Sequence, residues 1–119
     1  MKAVLIGLAL GLSTPAAAQQ AELGYPRGAL GFEALASDDL ATAELQLKNG
    51  GTPRYDPAWL INIGQVYART GRLAQAEKMF LRAQRAEEVE LVLASGRTVR
   101  SGEAATRALQ LLRAGHLGR

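Results

Sequence analysis

PAWLINIGQVYARTGRLAQAEKMFLRAQRAEE, residues 57–88, holds two apolar stripes of helical period on either side of a glycine. Leu60, Ile63, Gly64 and Tyr67 recur at i, i+3, i+4 and i+7, the spacing that lines one face of an α-helix. Gly71 falls at the turn, and Leu73, Ala76, Phe80 and Ala83 form a second stripe that must face the first. Small residues set among large ones let two antiparallel helices approach closely. Asp56 and Pro57 mark the start: an Asp side chain caps free N–H groups, and Pro suits a first helical position because no N–H is needed there.

A fainter copy lies 33 residues upstream, where Gly31 matches Gly64, Leu40 matches Leu73, Ala43 matches Ala76 and Glu44 matches Glu77. Leu30 and Leu47 keep apolar character opposite Ile63 and Phe80, whereas Ala34 replaces Tyr67 and Asp38 replaces the turn glycine. Gly28 and Gly31 each weaken the first helix of this copy by about 1 kcal/mol relative to Ala. Ser37, Asp38 and Asp39 precede a second helix as capping groups, and Asn49-Gly50-Gly51-Thr52-Pro53 stops it. The predicted helices are 27–36, 39–48, 57–69 and 73–87.

In order, the stripes read L-x2-I-G-x2-Y…G…A-x3-F…A, which resembles the tetratricopeptide repeat closely. The resemblance covers residues 27–88, is strongest in 57–88, and implies stacked helix pairs serving as a binding scaffold rather than an enzyme. In that family the first helix of each repeat lines a concave surface for a peptide. Carried over, this selects Ala58, Ile61, Asn62, Gln65 and Arg69, with Asn62 hydrogen-bonding a ligand main chain and Arg69 meeting a carboxylate. Phe32 and Leu35 add an apolar patch from the first repeat, which either binds or is covered by the N-terminal segment or another chain. Trp59 stands one residue before the family's usual Trp, which predicts an outward ring and an interface anchor.

After Glu88 the pattern changes. Val89, Val92, Thr98 and Val99 suit strands, and Ala94-Ser95-Gly96-Arg97 suits a turn, so a hairpin is favoured over an extension of the fourth helix to Ala94. Ser101 is expected to N-cap a last helix with Ala105, Ala108, Leu109 and Leu112 on its apolar face, Gly115 ends it, and 116–119 are expected to fray. No third repeat is predicted. The expected class is mainly α: two antiparallel helix pairs, a short β-hairpin and a C-terminal helix. Residues 89–115 are expected to cap the second pair, with Leu91, Leu93, Val99, Leu109 and Leu112 joining Phe80.

Residues 1–18 read as an export leader: Lys2, the apolar run Ala3–Leu12, a break at Ser13-Thr14-Pro15, and Ala16-Ala17-Ala18 before an expected mature start at Gln19. The ten-residue apolar run is too short to span a bilayer. Residues 19–26 link leader to repeats. The destination is an exported, soluble protein, periplasmic in a Gram-negative source. A formal charge of +3 is too mild to point to nucleic acid or anionic membrane.

Chemistry is sparse. There is no Cys, and the one His, His116, lies on the tail, so no Cys–His pair or His-rich metal site can be assembled. Asp38-Asp39 and Glu87-Glu88 are neighbours that point apart on a helix, better suited to capping and solvation than to acid–base work. No phosphate-binding glycine loop is present, and no cofactor or metal is expected. Lys78, Arg82 and Arg85 form a basic row, expected to be solvated and paired with Glu77 or Glu88. The expected function is a non-enzymatic adaptor for a protein or peptide of the cell envelope. The alternative is a structural subunit with no groove in use. Open strand edges leave room for a homodimer.

Overall fold

The computed structural model describes residues 3–5, 24–93 and 95–117. In chain order the elements are β1 Ala3–Leu5, α1 Phe32–Ala36, α2 Leu40–Asn49, α3 Pro57–Arg69, α4 Leu73–Arg85, β2 Glu90–Val92, β3 Thr98–Arg100 and α5 Ser101–Arg113. The molecule is mainly helical, with the expected hairpin and C-terminal helix. The expected cleavage site at Ala16-Ala17-Ala18 lies outside the described residues.

Helix α3 is central, packed chiefly on α4 and also touching α2 and α5. Its start is as predicted: the Asp56 carboxylate accepts from the N–H of Ala58 at 2.8 Å and Trp59 at 3.2 Å, with Pro57 in the first turn. Gly64 lets Phe80 lie against the α3 backbone. A Cβ there would clash with Phe80 Cε1 and sit 2.8 Å from Cδ1. Leu60, Ile63, Ala76, Phe80 and Ala83 are buried and Tyr67 is half-buried. Leu73 departs from the predicted stripe: it is 48% exposed, because it opens α4 at the turn, before the two helices are fully in contact.

The first pair is more abbreviated than predicted. Residues 27–31 form turns instead of helix, since Gly28 (φ 81) and Gly31 (φ 64) adopt left-handed backbone, so α1 begins only at Phe32. The helix stops of α1, α3 and α5 share one geometry. After α3, Arg72 N–H donates to Tyr67 O at 2.8 Å and Gly71 N–H to Ala68 O at 3.2 Å, with Gly71 left-handed. After α1, Asp39 N–H donates to Ala34 O at 2.8 Å and Asp38 N–H to Leu35 O at 3.1 Å, with Asp38 at φ 61 in the glycine's place. After α5, His116 N–H donates to Leu111 O at 2.8 Å and Gly115 N–H to Leu112 O at 3.0 Å. Each is the paired-bond cap that satisfies the last free carbonyls of a helix. The tail is therefore held further than expected: Leu117 is buried.

The hairpin pairs Leu91 with Val99 in an antiparallel ladder, and β1 adds a third strand parallel to β2. Ser101 is not the N-cap of α5 but its first residue, and it is buried. It closes the ladder instead: its N–H donates to Val89 O at 2.8 Å, and its Oγ accepts from Val89 N–H at 3.0 Å. Leu91 and Leu109 join the core containing Phe80, and Leu93, Val99 and Leu112 pack on it. Helix α5 lies antiparallel along α4, with Gln84 Nε2 bonded to Thr106 Oγ1 at 2.8 Å and Arg113 to Glu77 at 3.0 Å.

Candidate functional site

Helix α3 presents Asn62, Gln65 and Arg69 one turn apart, on the side away from α4. The fold places this face against the first helix pair, so it is interior. Ala58, Ile61, Asn62 and Gln65 are fully buried, as is Phe32, and Leu35 is 1% exposed. Arg69 keeps 17% of its side chain exposed. The expected peptide-binding face at Ile61, Asn62, Gln65, Phe32 and Leu35 is closed to a ligand here, because the short first pair folds directly onto it.

Asn62 still does what its chemistry suggests, but toward its own chain. Its Nδ2 donates to Leu30 O at 3.0 Å, and its Oδ1 accepts from Gln65 Nε2 at 3.3 Å. Gln65 Oε1 accepts from Arg69 at 3.3 Å, and Arg69 also donates to Leu35 O at 3.0 Å. A continuous polar ladder thus runs along α3 and serves one carbonyl just before α1, Leu30, and one in its last turn, Leu35. Leu35 is near the end of a five-residue helix, and its carbonyl takes Arg69 as a second donor beside the capping N–H of Asp38 at 3.1 Å. Burial lowers the Arg69 pKa, an effect opposed by Asp38 at 4.0 Å. Arg69 stays charged across ordinary pH.

Two flanking clusters brace the same junction. Trp59, expected outside, is 5% exposed, and its Nε1 donates to Leu47 O at 2.8 Å. The Arg54 guanidinium stacks 4.5 Å from the indole and donates to Leu47 O and Lys48 O, so the pair closes the C-terminal end of α2. At the other side, Glu44 binds Arg72 with both oxygens, at 2.6 and 3.1 Å, and Lys48 at 2.6 Å. Those hydrogen bonds hold its carboxyl down at about 2. Arg72 lies 4.7 Å from the centre of the Tyr67 ring. Asp56 also accepts from Tyr25 OH at 3.0 and 3.2 Å, tying the N-terminal segment to α3. Burial, then the Asp56 charge, raises the Tyr25 phenol well above its ordinary pKa.

The basic row Lys78, Arg82 and Arg85 is exposed as expected, but its expected partners are engaged elsewhere: Glu77 pairs with Arg113 and Glu88 with Arg100, each at 3.0 Å. The packing of α5 along α4 brings Arg113 to Glu77, and the hairpin brings Arg100 to Glu88. No group of acidic residues and His that could hold a metal occurs among the described residues. No helix among them is long and apolar enough to cross a membrane. The sequence signal that points to the ladder's role is the pair Gly28 and Gly31, whose left-handed backbone turns the Leu30 carbonyl out of a helix and toward Asn62. No family model, curated protein or solved structure matches this chain.

Proposed function

We propose that this chain is an exported, non-enzymatic helical protein of the tetratricopeptide type that serves as a structural subunit of a cell-envelope assembly, periplasmic in a Gram-negative source. Its partner meets an outer surface, not a groove on α3. The observation that carries this reading is the Asn62–Gln65–Arg69 ladder. The polar groups a peptide would need are used on Leu30 and Leu35 of the same chain. The leader-like N-terminus supports export, and the lack of an acid–base or nucleophile constellation among the described residues supports a non-catalytic role.

The test is to cross-link the protein in its native envelope and compare wild type with Asn62→Ala. The variant is expected to lose stability yet retain the wild-type cross-linked partner while folded. Unchanged stability with loss of the partner would restore the groove adaptor. Recovery of the protein only as a free monomer would refute a subunit role.

A further inference from the structure

Strand β2 has a neighbour on each side, and they differ in kind. β3 follows it through a tight turn, whereas β1 comes from the far N-terminus, with Ala3 in register with Glu90, Val4 with Leu91 and Leu5 with Val92. Leu93 N–H donates to Arg97 O, and Ser101 N–H to Val89 O, both at 2.8 Å. Because an antiparallel ladder alternates, Val89, Leu91 and Leu93 address β3, and the N–H and C=O groups of Glu90 and Val92 point to the opposite edge. That edge is where β1 lies.

β1 falls within the stretch that reads as a removable leader. Once the leader is cut off, Glu90 and Val92 present unpaired backbone groups beside a buried Leu91. Edges of this sort are usually blocked by Pro, a charge or a bulge; Glu90-Leu91-Val92 has no Pro, and its one charge is Glu90. We infer that the β2 edge accepts an extended, uncharged aliphatic segment of a partner protein, bound parallel to β2 in the register that Ala3–Leu5 occupies. This is strand addition, in which backbone hydrogen bonds supply affinity and the residue in register with Leu91 supplies apolar selectivity. The chemistry follows from the occupant, Ala-Val-Leu, and from the apolar Leu91 and Val92 of the edge strand itself. The direction argues for a partner segment over a symmetric pair of copies: joining β2 to β2 about a two-fold axis is antiparallel, whereas β1 runs parallel. The inference rests on the proposed export and leader removal.

The experiment follows backbone amide exchange by NMR in two preparations, the leader-bearing chain and the form recovered from the envelope, their N-termini read by mass spectrometry. In the leader-free form the Glu90 and Val92 amides should exchange about tenfold faster than in the leader-bearing form, with Leu91 and Leu93 unchanged. A synthetic peptide of residues 2–7, KAVLIG, should restore the slow rates. Val92→Pro removes an N–H aimed at this edge and none aimed at β3, so it should abolish the peptide effect with helical circular dichroism retained. Exchange at Glu90 and Val92 that ignores the peptide overturns the proposal, as does peptide protection surviving Val92→Pro. Protection that instead grows with protein concentration assigns the edge to a second copy and also overturns it. A leader still attached in the envelope refutes the leader reading alone. The edge is then read in Val4→Pro, where peptide protection supports the proposal and its absence overturns it.

Discussion

Gly64 has no side chain because Phe80 fills the space where one would be. Gly64→Ala should therefore destabilise by about 1–2 kcal/mol, overpacking outweighing the roughly 1 kcal/mol gain in helix propensity. Denaturant melts check this, and adding Phe80→Leu should recover part of the loss. Asp38 is the reverse case. It holds φ 61 in a cap position that Gly71 and Gly115 fill at φ 82 and 80. Asp38→Gly should raise stability by about 0.5 kcal/mol, the relieved strain exceeding the added chain entropy. A lower melting temperature would instead mean that the Asp38 charge near Arg69 outweighs the strain. Asn62→Ala should cost about 1–3 kcal/mol, since it takes a donor from Leu30 O and an acceptor from Gln65 in a dry interior.

Among elements, the junction of α2 with α3 has a built-in pH dependence. The Glu44 carboxyl is held at about 2, below its ordinary 4.5, by Arg72 and Lys48. A depressed carboxylate contributes stability above its unfolded pKa, and that contribution fades as pH falls from about 4.5 to about 2. With the side chain 20% exposed, Glu44→Gln should cost about 1 kcal/mol at neutral pH, and the difference from wild type should vanish near pH 2. Urea melts at both pH values decide it. Glu77 stands where Glu44 does in the repeat and reaches Arg113 at the end of α5, as Glu44 reaches Arg72 just past the end of α3. With the shared cap geometry, α5 meets α4 as α3 meets α2, by an ion pair at the helix end and a paired-bond cap beyond it. The sequence does not show this, because the hairpin moves the 13-residue α5 out of the 33-residue spacing that relates the first two pairs.

At the scale of the whole molecule, two helix pairs leave an end of the stack uncovered, and the hairpin and α5 cover it with Leu91, Leu109 and their neighbours against the core around Phe80. A chain ending at residue 88 should lose its cooperative thermal transition, since the truncation would strip Leu91, Ala105, Ala108 and Leu109 from the core around Phe80. A sharp transition at the wild-type temperature would show that the cap contributes nothing. The helix borders at 57–69 and the hairpin at 89–100 were legible because their signals are local: a period of 3.6 residues, a capping Asp-Pro, a run of β-branched residues. In sequence Gly28 and Gly31 signal only a weakened helix, whereas their left-handed backbone delays its start to Phe32. The two faces of α3 were equally readable as stripes. Nothing local says whether a stripe meets water or another element, and burial at Trp59, Ile61 and Asn62 was decided when the abbreviated first pair docked there. Ser101 and Leu117 were likewise placed by partners far along the chain. Local periodicity and turn chemistry determine which elements form. Which of their faces stay open is a property of packing, because exposure belongs to the space between elements and not to any one of them.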